Sequence, residues 1–130
     1  MLVLLLFTSL QNLPVQATST NVIYVNAAST GAEDGKSWAT AYKDLQLALA
    51  AAKSGDEIWI AKGTYKPTSG TDRTVSFQMK NGVAIYGGFN GTEETLAERD
   101  FNANKTILSG DIGTTGNNSD NAYHVFYHPD

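Results

Sequence analysis

A chain of 130 residues with a formal net charge of -4 has room for one domain at most. Its nine Lys and Arg residues stand singly, so it lacks the basic footprint that a nucleic-acid backbone demands. With no cysteine, disulfide frameworks and thiolate metal sites are excluded.

The chain opens on an apolar run, Leu2 to Phe7, continued loosely by Leu10 and Leu13. A bilayer span needs about 20 apolar residues, so this run predicts no transmembrane helix. Val15-Gln16-Ala17 has the small-x-small form of a signal-peptidase site, and polar Thr18, Ser19 and Thr20 follow it. Residues 1–17 are therefore expected to be a signal peptide, and the protein to be secreted or displayed at the cell surface. No Lys or Arg precedes the apolar run, which departs from the usual signal pattern.

Val22 to Val25 is β-branched and aromatic and reads as a strand. Asn26 to Lys36 reads as a loop from its Gly, Ser and Asp content. Trp38, Ala41, Tyr42, Leu45, Ala48, Leu49 and Ala52 recur at three- and four-residue steps, which predicts an amphipathic helix over Thr40–Lys53. Ser37 or Thr40 can cap its start and Gly55 can close its end. Short strands follow at Ile58–Ala61, Val75–Met79, Val83–Phe89, Thr106–Ile112 and His124–Tyr127. Those beginning near Ile58, Val83 and Thr106 are spaced within the range of solenoid repeats, although the letters do not repeat. Asn81-Gly82 suits either a tight hairpin between its flanking strands or a corner between two sheets. Glu93–Asp100 reads as a polar loop with one or two helical turns.

The run IYVNAASTGAEDGKSWATAYKDLQLALAAAKSGDEIWIAKGTYKP resembles the N-terminal cap and first coil of right-handed parallel β-helix proteins of the pectate-lyase-like superfamily. The parts that carry the resemblance are Ile23-Tyr24-Val25, Asp34-Gly35, Ser37-Trp38, the helix through Leu49, and Gly55-Asp56 through Gly63-Thr64-Tyr65. The later segments NGVAIYGGFNGTEETLAERD and TILSGDIGTTGNNSDNAYHVFYH look like the next coils of large bacterial extracellular members. The resemblance implies an all-β solenoid of parallel strands whose open end is plugged by an amphipathic cap helix. It divides the chain into a signal peptide (1–17), a strand and cap helix (18–54), and the first coils of the β-helix (55–130), incomplete at the C-terminus. It is specific for fold and poor for function, because enzymes and non-enzymes share the cap.

Pectate-lyase chemistry takes a carboxylate cluster for Ca²⁺ and a base for the sugar proton. Ca²⁺ gathers six to eight oxygens, and the best local candidates are Asp111 and Asp120, in a loop that also holds Asn117, Asn118 and Asn121. The spacing is not that of an EF-hand, and Asx-rich loops are commonly turns, since these side chains bond their own backbone. Arg73 and Arg99 read as surface charges or loop-fixing ion pairs, and Glu93 and Glu94 are too close in sequence to flank one glycosidic bond. His124 and His128 alone do not make a zinc site. Trp59, Tyr65, Tyr86 and Phe89 either form an exposed row for sugar rings or stack inside the solenoid.

The expectation is an exported bacterial surface protein: a non-catalytic scaffold, adhesion or carbohydrate-contacting module, with polysaccharides or cell-surface glycans as partners. The alternative is the first part of a polysaccharide lyase or glycoside hydrolase whose active site lies beyond residue 130. No cofactor is evident, and calcium is the one for which the sequence offers candidates.

Overall fold

The computed structural model describes residues 20–129; the expected signal peptide, residues 1–17, lies outside them. Strand β1 (Val22–Val25) is followed by a single 3-10 turn over Trp38–Thr40 and helix α1 (Leu45–Ala51). Six more strands come after it: β2 (Glu57–Ala61), β3 (Gly63–Tyr65), β4 (Phe77–Gln78), β5 (Ala84–Phe89), β6 (Thr106–Leu108) and β7 (Phe126–Tyr127).

The expected helix over Thr40–Lys53 is thus two pieces. Ser37 caps the 3-10 turn through its hydroxyl, and Asp44 caps α1 by accepting from the Gln46 N–H at 2.8 Å. Between them the backbone is extended, and Tyr42 bridges to Val25 in parallel. The apolar steps at Trp38, Ala41 and Tyr42 therefore belong to a turn and a bridge, although they fall on helical spacing. α1 ends at Ala51, and Gly55, expected at the helix end, lies farther on with φ +97°.

All the strands pair in parallel. β1, β2 and β5 form one sheet, β3 and β6 a second, β4 and β7 a third. The chain visits the three sheets in the same order twice, as β2–β3–β4 and then β5–β6–β7. Ile58 pairs with Ile85, Thr64 with Ile107, and Phe77 with Phe126. β4 and β5 lie in different sheets, so Asn81-Gly82 makes a corner, with Gly82 at φ +75°, and not a hairpin.

Parallel sheets bury both faces, and the first sheet does so. On its inner face Ile23, Val25, Ile58 and Ile60 pack with Leu45, Ala48 and Leu49 of α1, and with Tyr65 and Phe77 of the other sheets. On its outer face Tyr24, Trp59 and Tyr86 stand in register. Trp59 stands on the face opposite Ile58 and Ile60 and is covered there: its ring stacks on Phe89 at 4.8 Å between centroids.

The Gly87-Gly88 pair is a bulge. Trp59 pairs with Tyr86 and Ala61 with Phe89, so two glycines face one Ile60. The gap admits Thr106, whose hydroxyl accepts from the Gly88 N–H at 3.1 Å and donates to the Ile60 carbonyl at 3.2 Å. A Cβ at Gly87 would stand 2.7 Å from that of Thr106, and Gly88 needs φ +95°.

The two ends of the stack differ. At the first, α1 packs on β1, β2 and β4. The outer edge of β1 is satisfied by the 35–42 segment: Tyr24 N–H donates to the Gly35 carbonyl, Tyr42 N–H to Tyr24, and Asn26 N–H to Tyr42, all within 2.9 Å. At the other end, among the described residues, β5, β6 and β7 each have a strand neighbour on one side only. Ile58 and Tyr65 are buried while the residues stacked on them, Ile85 and Leu108, are half-buried. Phe77 is fully buried and its partner Phe126 is 46% exposed.

Candidate functional site

The calcium candidates Asp111 and Asp120 each bond backbone within their own loop. In the 110–121 loop, both Asp111 carboxylate oxygens accept from the Gly116 N–H at 3.1 Å. Asp120 Oδ2 accepts from the Thr114 N–H at 2.9 Å, and the Asn117 side chain holds Ser119. These are the bonds of a self-supported turn. Asp120 Oδ1 and Asn121 Oδ1 are shut from solvent without a donor. Among the described residues no three His, Asp or Glu side chains converge as a metal-ion set.

The arginines fix loops, though not through the ion pairs their neighbours suggested. Arg73 Nε donates to the Asn121 carbonyl, and its guanidinium lies over Tyr123 at 4.3 Å. Arg99 lies over Tyr86 at 5.2 Å. The ion pairs among the described residues are the exposed Lys36–Asp34 and Lys43–Glu33, whose glutamate is half-buried. His124 and His128 flank β7 and are exposed. The aromatic row resolves toward packing: Trp59, Tyr65 and Phe89 are buried, and Tyr86 is half-buried beneath Arg99. Tyr65 donates its phenol proton to the Ala61 carbonyl at 2.9 Å, and burial raises its pKa against the Ala27 N–H it accepts.

Sequence reasoning missed a cleft of about 610 Å³ between the 36–39 turn and the 91–94 loop. Its aromatic lining is Tyr24 from β1 and Trp38 from the 3-10 turn, edge to face at 4.8 Å. Phe89 packs behind Trp38 at 5.5 Å. The indole N–H of Trp38 donates to the Glu93 carbonyl at 2.9 Å, tying the two walls together.

Both walls are held by short polar devices. Glu93 folds its carboxylate back onto the N–H groups of Asn90, Gly91 and Thr92 at 2.6, 2.9 and 3.0 Å. Burial works to raise its pKa, and the backbone N–H groups, Asn90 first, outweigh that and hold it low. Glu98 accepts from the N–H groups of Glu94 and Thr95, closing a capping box that also lowers its pKa. On the other wall Asp34 accepts from the Lys36 N–H. The rim carries Lys36, Thr92 and Glu94, all exposed. Ser37-Trp38 was the available signal, but helical periodicity placed Trp38 on a helix face and hid its partnership with Glu93.

Comparison of the chain with protein-family models, with curated proteins and with solved structures gives no match.

Proposed function

We propose that the chain forms the first coils of a right-handed parallel β-helix of the pectate-lyase-like kind, exported to the cell surface or beyond. There it serves as a non-catalytic scaffold, adhesion or carbohydrate-contacting module. The observation that carries this reading is the repeated order of the sheets: β2–β3–β4 lies under β5–β6–β7 with every pairing parallel. A repeat unit that cannot bury its apolar face alone does so by stacking on a neighbour. The closed first end and the half-exposed Ile85, Leu108 and Phe126 support a cap on one side and a further coil on the other.

Incubation of the purified chain with polygalacturonate and Ca²⁺ tests the non-catalytic part. No ultraviolet absorbance from unsaturated products is expected. A signal that disappears in Asp111→Ala or Asp120→Ala would overturn the reading in favour of a lyase. N-terminal sequencing of the exported protein tests the localisation, with cleavage after Ala17 as the expected result.

A further inference from the structure

We propose that the cleft between Trp38 and the 91–94 loop is a binding site for a neutral saccharide. The proposal rests on the carbohydrate-contacting part of the reading above and gives it an address.

Three features carry it. Tyr24 and Trp38 supply aromatic surface on which the C–H face of a pyranose can lie. The rim mixes a donor-only ammonium (Lys36), an acceptor-only carboxylate (Glu94) and a hydroxyl that does both (Thr92), as sugar hydroxyls require, each being donor and acceptor at once. An apolar floor with a few polar groups around it is the common build of a small-ligand site.

The third feature is rigidity. The Trp38–Glu93 bond, the three N–H groups gathered by Glu93 and the capping box at Glu98 set the walls before any ligand arrives. Little ordering is then left for binding to bring about.

Charge decides the class of sugar. One lysine, itself 3.5 Å from Asp34, faces two glutamates across the cleft. That balance repels a uronate and leaves a neutral ring unopposed.

The test is titration of the ¹⁵N-labelled full chain with cellohexaose, mannohexaose, chitohexaose and hexagalacturonate. The Trp38 indole N–H and the Gly91 and Thr92 amides report on the cleft. The Trp59 indole N–H, bonded to the Glu57 carboxylate, reports on the fold. At least one neutral hexaose is expected to shift the cleft signals saturably and leave Trp59 in place. Thr92→Ala and Glu94→Ala should each weaken that binding about threefold to tenfold, the loss of one hydrogen bond. Both are exposed rim positions, so the unchanged Trp59 signal checks that the variants fold. Tighter binding of hexagalacturonate would overturn the proposal. Shifts confined to other residues would overturn the cleft while leaving carbohydrate contact standing. No shift with any sugar would overturn the cleft, and the lyase assay would still test the scaffold reading separately.

Discussion

Gln46 closes the free edge of β4 by acting as a peptide group. Its side-chain amide donates to the Ser76 carbonyl at 2.8 Å, and its Oε1 accepts from the Gln78 N–H at 3.4 Å. An exposed parallel edge is a template for pairing with another chain, and this side chain satisfies both kinds of backbone group on it. Gln46→Ala should cost about 1 kcal/mol, because it leaves the Gln78 N–H without its partner and the Ser76 carbonyl with only the Gln78 side-chain amide at 3.2 Å. Gln46→Glu, which keeps the acceptor but sets a carboxylate oxygen against the Ser76 carbonyl, should be no more stable than Gln46→Ala. Urea unfolding of the three proteins measures the order; equal stability of Gln46→Ala and the parent would show that the edge is satisfied by water.

Low pH should loosen the 90–95 loop. Glu93 is held below the ordinary glutamate value of 4.5, its backbone bonds outweighing burial. A carboxyl with a depressed folded pKa contributes stability that is whole above the unfolded value and is lost as pH falls through the folded one. Amide exchange at Gly91 and Thr92 should therefore hold steady from pH 7 to about pH 5, after correction for the intrinsic rate, and accelerate below about pH 4.5. Glu93→Gln should raise exchange there by about tenfold above pH 5, and the difference from the parent should close as pH falls. Protection that stays flat down to pH 3 would remove Glu93 from this role.

Gly88→Ala should lose stability on two counts. The site needs φ +95°, and a Cβ would stand 3.0 Å from the backbone of Phe101. Backbone strain and overpacking each cost about 1–3 kcal/mol. Gly55→Ala, at φ +97° with nothing within 4 Å, separates the two: it should lose only the strain. A thermal melt of both variants reads the difference, and equal losses would rule out the contact with Phe101.

The far end should be adhesive. Ile107 is 50% exposed, Phe126 46% and Tyr127 53%, on the outer strands of the second and third sheets. Sedimentation should show concentration-dependent association of the chain that Ile107→Lys and Phe126→Lys reduce together. A strictly monomeric parent at high concentration would contradict it.

Much of the strand layout was legible because β-branched runs bounded by glycine mark strands whatever they pair with. Val22–Val25 was readable to the residue, and the strand at Ile58–Ala61 to within one. The strands at Val75–Met79, Thr106–Ile112 and His124–Tyr127 are real but shorter, since their outer residues are taken by corners. The helix was overextended because spacing cannot tell that Tyr42 bridges to Val25; that depends on a strand seventeen positions away in the chain. Asp111 and Asp120 were legible as turn formers from composition. The Trp38–Glu93 bond was not, because it joins residues 55 apart.

The central claim is the parallel stacking of the two coils, and cysteine cross-linking tests it most directly. The chain has no cysteine, so Thr64→Cys/Ile107→Cys introduces a single pair at exposed positions in direct register. Parallel neighbours stand within the Cα separation of about 4.4–6.8 Å that a disulfide accepts. Oxidation should give a fast-migrating, intramolecularly linked monomer in high yield. The control pair Gln78→Cys/Ile85→Cys, on strands of different sheets here and opposite each other only in a two-residue hairpin at Asn81-Gly82, should link poorly. Ready linkage of the control with none in the first pair would mean a hairpin between the third and fourth of the expected strands, and would contradict the stacked coils.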